Sequence, residues 1–289
     1  MPAVSAFPPF HPHVEVWILI AGVAALGLYV DRVIQPRAVA AGHLPISSHQ
    51  KRWFWLGLVL LWVASDWPLH DLSELRLYSA HMFQHMLITV VIPPIFLLAV
   101  PEWLGRLIVG NGRFSRAFHW VERPFPAAVL FNVLAVLTHW TVIVTLSIEN
   151  GPFHYLMHTL LFTSGLLVWM LICGPFPELH LSEPGKMIYI FVMSLIPTIP
   201  AAFLTASDGV IYRVYEHVPR LWFRTALEDQ QFAGVVMKLV EGFYLWSIIT
   251  VLFMRWMRDG QSKEKYRGKL VTSGSASGSG SRSRAGAGD

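Results

Sequence analysis

Seven apolar windows, separated by short polar segments, run along the chain between residues 14 and 257. A helix that crosses a lipid bilayer needs about 20 mostly apolar residues, and every window except the second approaches or exceeds that length. Sustained apolar runs of this kind predict transmembrane helices. The windows cover residues 14–34, 53–67, 81–100, 126–148, 153–174, 187–205 and 234–257.

The polar flanks divide the chain into three predicted parts. We expect residues 1–13 to form an outer N-terminal segment, residues 14–257 a seven-helix membrane domain, and residues 258–289 a basic cytoplasmic tail. The tail ends in a run of Gly, Ser and Ala, a composition that is typical of disordered segments. We therefore expect the folded part of the chain to be one membrane domain.

The first window has to be distinguished from a cleaved signal peptide. Ala38-Val39-Ala40 resembles a cleavage site, but no Lys or Arg precedes Val14. Signal peptides begin with a basic segment. We therefore expect the first window to be a retained membrane span.

The composition supports a membrane protein and excludes several other classes. Apolar residues make up 54% of the chain and charged residues 14%, whereas a typical soluble domain is about 25% charged. These values exclude a soluble globular enzyme, a disordered protein and a collagen-like fibre. Cys173 is the single cysteine, which excludes an intrachain disulfide and a paired-cysteine metal site.

The distribution of basic residues predicts the orientation of the bundle. Of the Lys and Arg residues in the connections, at the span ends that adjoin them and in the C-terminal segment, 17 fall on one side of the predicted bilayer and 4 on the other. Basic residues concentrate on the cytoplasmic side of membrane proteins. We therefore predict an all-α, seven-transmembrane bundle with an outer N-terminus and a cytoplasmic C-terminus. The basic tail is short and suits an inner lipid leaflet, so we expect membrane lipid, and no nucleic acid, as its partner.

Histidine is concentrated on the predicted outer side, which receives nine of the 13 His residues. Two pairs share one spacing, His81 with His85 and His154 with His158. Residues at positions i and i+4 lie on one face of a helix, and polar residues in a span usually face the bundle interior. The two pairs predict a shared metal site near the outer ends of the third and fifth spans. The alternative is that they are core or interfacial histidines without a metal.

Methionines beside these pairs favour a soft metal ion. Imidazole and thioether ligands together suit Cu(I), whereas a hard ion would need carboxylates. Each methionine could equally fill the apolar core. A carboxylate could support a ligating histidine by accepting its second ring N–H, or it could simply end a helix. The further candidates for the site are Met82, Met86, Met157, His139 and Asp66, with Met237 close to the same level.

Several motifs occur together in one order along the chain. They are His81-Met82-Phe83-Gln84-His85-Met86 followed by Pro93-Pro94, then His154 and His158 followed by Gly165, then Pro197 and Pro200, and finally Asp229-Gln230-Gln231 followed by Gly234. With these motifs the chain resembles the polytopic cytochrome c oxidase assembly factors of the CtaG type, which are associated with caa-type oxidases. The resemblance extends over residues 14–257.

The resemblance implies a function as well as a location. It implies a multi-pass protein of the bacterial plasma membrane that is needed to mature cytochrome c oxidase and helps to supply its copper, rather than an enzyme. The implied cargo is copper as Cu(I), and the implied partners are the oxidase subunits. His81, His85, His154 and His158 are the positions that the resemblance implies as ligands.

Four other functions stay open from the residues alone. Histidines on separate helices can bind haem iron axially, although two histidines one turn apart suit a small ion better. An intramembrane metalloenzyme would need an open coordination position and a general base, and few carboxylates lie near the histidine pairs. A membrane copper transporter and a structural scaffold without metal are the remaining alternatives.

Overall fold

The structure, a computed structural model, describes residues 7–218, 221 and 225–279, and all its regular elements are helical over these ranges. This confirms the predicted all-α class. In chain order the helices are α1 (Val14–Ala40), α2 (Ser48–Ser65), α3 (Leu69–Leu75), α4 (Tyr78–Ala99), α5 (Glu102–Val109), α6 (Arg113–Val121), α7 (Pro124–Thr138), α8 (Thr141–Glu149), α9 (Gly151–Cys173), α10 (Glu183–Leu195), α11 (Thr198–Ala206) and α12 (Ala226–Ser279). Short 3₁₀ turns occur at Pro177–Leu179 and Arg213–Tyr215.

Five helical segments are long and apolar enough to cross a membrane: α1, α4, α9, α10 with α11, and α12. A sixth is counted if α6 and α7, which are bent by 77° at a short break, form one broken span. The second predicted window corresponds to α2, which has 18 residues. The total of seven spans and the orientation stay predictions.

The C-terminal helix extends beyond the last predicted span. The structure continues α12 to Ser279 and describes its side chains as far as Gln261. Residues 280–289 lie outside the described part of the chain, so the disorder predicted for them stays a prediction.

Side-chain caps begin three of the helices at positions where short polar residues precede apolar runs. Ser47 before α2, Asn150 before α9 and Ser182 before α10 each accept a hydrogen bond from the backbone N–H three residues ahead. Such caps satisfy one of the free N–H groups at a helix start. These starts therefore follow from local sequence.

The fourth predicted span is divided into α7 and α8. The ring Nδ1 of His139 lies 2.6 Å from the carbonyl oxygen of Ala135, which the backbone N–H of His139 would bond in a continuous helix. That N–H bonds the oxygen of Val136 instead, at 3.1 Å. Because the side chain competes with the backbone for this acceptor, α7 ends at Thr138. The single helix predicted over residues 126–148 is corrected to two.

The two helices that carry the histidine pairs pack in close contact. A π-helical turn at Leu87–Val91 interrupts α4 before Pro93. A Cβ atom on Gly165 of α9 would overlap the carbonyl oxygen of Thr89 in this turn. Only glycine lets the two backbones approach so closely.

The start of α4 is held by a residue of another helix. The carboxylate of Asp229, in the first turn of α12, accepts hydrogen bonds from the backbone N–H groups of Tyr78 at 2.6 Å and Ser79 at 3.2 Å. The hydroxyl of Ser79 donates to the same carboxylate at 2.5 Å. From the sequence alone, Asp229 suits an N-cap of its own helix, but the structure places it as a cap on α4. It therefore fixes where the His81–His85 turn begins.

Replacing Asp229 by alanine is expected to destabilise the protein. The substitution leaves two buried N–H groups and a buried hydroxyl without their acceptor, at a cost of about 2–3 kcal/mol. Unfolding of the purified protein in detergent, followed by circular dichroism against temperature, measures the change. Asp208→Ala is the matched control because Asp208 is exposed. Equal unfolding temperatures for Asp229→Ala and the wild type would contradict the capping role.

Candidate metal centre

The four predicted histidines lie together between α4 and α9. The ring centroids of His81 and His85 are 4.3 Å apart on α4, and those of His154 and His158 are 4.2 Å apart on α9. Across the two helices, His85 lies 4.8 Å from His158, and His81 lies 5.7 Å from His154. We call these four residues the histidine cluster.

Several ring nitrogens of the histidine cluster are available to a metal ion. The Nε2 atoms of His85 and His158 lie 3.1 Å apart. Two nitrogens bound at about 2.0 Å to one tetrahedral ion lie roughly 3.3 Å apart. Nδ1 of His81 and Nε2 of His154 are buried and have no hydrogen-bond partner among the described residues. Buried polar atoms without a partner are rare and need an explanation, and a bound ion supplies one.

The most compact set of ligand atoms lies where α3 meets the histidine cluster. His70, Glu74 and His154 present ligand atoms within 4.8 Å of one another, the one such group of three found over the described ranges. Nδ1 of His154 lies 3.4 Å from Glu74 Oε1, and Nε2 of His70 lies 3.6 Å from Glu74 Oε2. Two histidines and one carboxylate can hold a divalent ion such as Zn²⁺.

The surroundings of His70 favour a hydrogen-bonding role over a ligand role. The Gln84 amide nitrogen donates to the Ala64 carbonyl at 2.7 Å and lies 3.2 Å from Nδ1 of His70. An amide nitrogen can only donate, so Nδ1 of His70 accepts and its Nε2 carries the proton. Burial lowers the pKa of His70 to about 4, so the ring is neutral at pH 7. Its protonated Nε2 therefore faces the Glu74 carboxylate.

Glu74 has the position of a supporting carboxylate for His154. Burial raises the pKa of Glu74 to about 7, and its Oε1 faces the Nδ1 of His154. The Ser147 hydroxyl lies 3.1 Å from the same Nδ1. With Nδ1 engaged by these two groups, Nε2 of His154 is the nitrogen free for a metal. An oxygen partner on the second ring nitrogen is the usual arrangement of a metal-binding histidine.

From the sequence, a different carboxylate, Asp66, was the candidate for this supporting role, with a helix end as the alternative. Both oxygens of Asp66 are bonded elsewhere, with the indole N–H groups of Trp17 and Trp62 each at 2.7 Å and the backbone N–H of Trp67 at 2.9 Å. The structure thus gives Asp66 tryptophan partners rather than a histidine. His70 and Glu74 were missed, although their i, i+4 spacing repeats that of the two histidine pairs.

An N-terminal segment packs against α3 beside the site. Nε2 of His13 lies 2.7 Å from Asp71 and Nδ1 of His11 lies 3.3 Å from it. The ring of His13 packs 4.7 Å from that of His70, which lies 5.7 Å from His154. A continuous column of imidazole rings therefore leads from the exposed His11 segment to the histidine cluster.

The other candidate ligands lie on different sides of the histidine cluster. Met82 and Met86 are buried on α4, and with His139 they border a small cavity that also reaches His85. Met157 is half-buried on α9 and lies between His154 and His158 in the sequence. The structure therefore groups two of the methionines with His139, and leaves Met157 a candidate by its sequence position.

Comparisons with known proteins give one family and two relatives. Residues 27–259 match the model of a family described as cytochrome c oxidase caa3 assembly factor. Uncharacterized proteins of Mycobacterium bovis and Mycobacterium tuberculosis are each 24% identical to the chain over 201 residues. These alignments include 63% of this chain and 30% of each relative, so the chain spans less than a third of the curated relatives' length. No solved structure matches the chain.

Proposed function

The chain belongs to the cytochrome c oxidase caa3 assembly factor family, and from this premise we propose that it binds Cu(I) at the histidine cluster and helps to deliver the ion to the oxidase. Membership of this family supports a role in the assembly of the oxidase. The copper, the ligands and the route of delivery are our proposal. Oxidase subunits are the partners, and the bacterial plasma membrane is the location.

The observation that carries this proposal is the set of unsatisfied ring nitrogens. Among the described residues, Nδ1 of His81 and Nε2 of His154 are buried without a hydrogen-bond partner, and the Nε2 atoms of His85 and His158 lie 3.1 Å apart. Neutral imidazole nitrogens are good ligands for copper. The ligands project from two helices that meet at Gly165, so the site is held by helix packing rather than by a loop.

Binding and transfer need no chemical turnover, and we therefore propose a carrier rather than an enzyme. A carrier needs ligands that can exchange one at a time. The four histidines of the cluster supply such ligands, and the column of imidazole rings from His13 through His70 leads to them from the N-terminal segment. Ion entry along this column fits an outer location of the site.

The experiment is metal analysis of the purified protein together with its absorption spectrum. We expect the histidine cluster to hold one tightly bound copper per chain after anaerobic loading with one equivalent of Cu(I), with nitrogen ligands. We also expect no Soret band. Failure of the loaded protein to hold copper against a moderate Cu(I) chelator would overturn the proposal, and a strong Soret band in the protein as isolated would favour haem.

Cysteine labelling tests the proposed orientation. In a Cys173→Ser background, Asn150→Cys and Asp208→Cys are expected to react with a membrane-impermeant maleimide in intact cells. Ser48→Cys and Asn111→Cys are expected to react only after lysis, because the basic connections stay in the cytoplasm. All four positions are exposed, and the background protein without added cysteine is the control. The reverse labelling pattern would overturn the orientation.

A further inference from the structure

A small cavity lies beneath the histidine cluster, between α4, α7 and α12. Its volume is about 50 Å³, and its lining includes His85, His139, Met82, Met86 and Met237. A water molecule occupies about 30 Å³ in the liquid, so the cavity can hold one small ion. His85 borders it and also belongs to the histidine cluster, so the two spaces adjoin.

The tautomer of His139 is fixed by its backbone contact. Nδ1 lies 2.6 Å from the carbonyl oxygen of Ala135, so Nδ1 carries the proton and donates it. Nε2 is then the nitrogen with the free lone pair. This atom is buried and has no hydrogen-bond partner within the described chain. The contact that ends α7 thus also leaves an unsatisfied acceptor at the cavity.

Three thioethers form part of the cavity lining. Met82 and Met86 on α4 are 1% and 7% exposed, and Met237 on α12 is 5% exposed. Methionine commonly fills apolar cores. Side chains that only filled the core would not explain the open volume or the unpaired Nε2 of His139 beside it. Thioethers with one imidazole form a soft ligand set that selects Cu(I) over divalent ions.

We propose that this cavity is a second Cu(I) site, with Nε2 of His139 and the thioethers of Met82, Met86 and Met237 as ligands. The identity of the ion as copper rests on the proposed function. The N-terminal segment reaches the histidine cluster through His70, and the cluster in turn reaches this site through His85. Because His85 borders both spaces, it can pass an ion from the imidazole ligands to the thioether ligands.

The cavity also adjoins a larger groove, which supports a role in transit. Pro197, Met237 and Glu241 border both the cavity and a groove of about 300 Å³ between α10–α11 and α12. The groove is lined further by Thr198 and Lys238, which form a hydrogen bond of 2.7 Å. An ion in the second site is therefore next to this groove.

Anaerobic Cu(I) titration of the purified full-length protein, with X-ray absorption spectroscopy of the loaded samples, tests the second site. The wild type at two equivalents is expected to show sulfur neighbours of copper. Met82→Leu/Met86→Leu/Met237→Leu is expected to lose the sulfur signal and the second equivalent, because leucine keeps the volume and removes the thioether. Met170→Leu/Met193→Leu is the matched control, since both residues are buried and neither lines the cavity.

The outcomes separate this site from the histidine cluster. His81→Ala/His154→Ala removes two ligands of the cluster and leaves the cavity lining intact, so its sulfur-bound copper is expected to remain. Nitrogen-only copper in the wild type at two equivalents, or an unchanged sulfur signal in the triple leucine variant, would overturn the second site. Neither of these two results would touch the proposed function, which fails only if copper binding by the histidine cluster fails.

Discussion

Replacing His85 and His158 together by alanine is expected to abolish tight copper binding by the histidine cluster. Their Nε2 atoms are 3.1 Å apart and are the closest pair of ring nitrogens across the two helices. Removing even an outer hydrogen-bond partner of a metal ligand costs about 10–100-fold in affinity. Loss of two ligands is therefore expected to weaken Cu(I) affinity by at least about 100-fold. Competition with a chelator of known affinity measures the change.

The matched control for this experiment is another pair of histidines. His43 and His49 are exposed and precede or begin α2, away from the histidine cluster. Their double alanine variant is expected to bind copper as the wild type does. Oxidase activity in cells that carry each variant as the sole copy provides the cellular measurement, and it should fall only with His85→Ala/His158→Ala. Unchanged copper affinity in that variant would remove the histidine cluster as the binding site.

Replacing Gly165 by valine is expected to disrupt both the fold and the site. Any side chain at this position overlaps the carbonyl oxygen of Thr89 and crowds Pro93. Overpacking of this kind costs about 1–3 kcal/mol, and here the obstacle is backbone, which has little room to shift. To relieve the overlap, α4 and α9 have to separate, which moves His81 and His85 away from His154 and His158.

Two measurements on the same sample check the effect at Gly165. The unfolding temperature in detergent is expected to drop, and the copper affinity of the folded fraction is expected to fall with it. Gly22→Val is the matched control, because no atom lies within 4 Å of a Cβ built on Gly22 in α1. Wild-type stability together with wild-type copper affinity in Gly165→Val would show that the close contact does not hold the site.

The helical class and the pairing of the histidines followed from local features of the chain. Apolar length predicted the helices, and the i, i+4 spacing placed each histidine pair on one helical face. The break of α7 at His139 was not predictable, because it depends on a side chain competing with the backbone N–H for the Ala135 carbonyl. The length of an apolar run gives no information about that competition.

The roles of the carboxylates were also not predictable from the sequence. Asp66 and Glu74 are both carboxylates near the predicted outer face, and the sequence offers no means to choose between them. The fold settles the choice: tryptophans surround Asp66, and His154 faces Glu74. Asp229 likewise suits a cap on its own helix, yet it binds the start of α4, which lies about 150 residues earlier in the chain.

The sequence by itself determined that this protein is helical, apolar enough for a membrane and equipped with paired histidines, because these properties depend on composition and on spacings within one helix. The tertiary structure alone decided which nitrogens meet, which carboxylate supports them and where the cavity at His139 lies. Those features depend on the packing of α3, α4, α7, α9 and α12, and helices that are distant in the chain leave no periodic signal of their contacts. Gly165 shows the reason. The absence of its Cβ matters because the backbone of Thr89 lies against it, and that contact is known only from the packed structure.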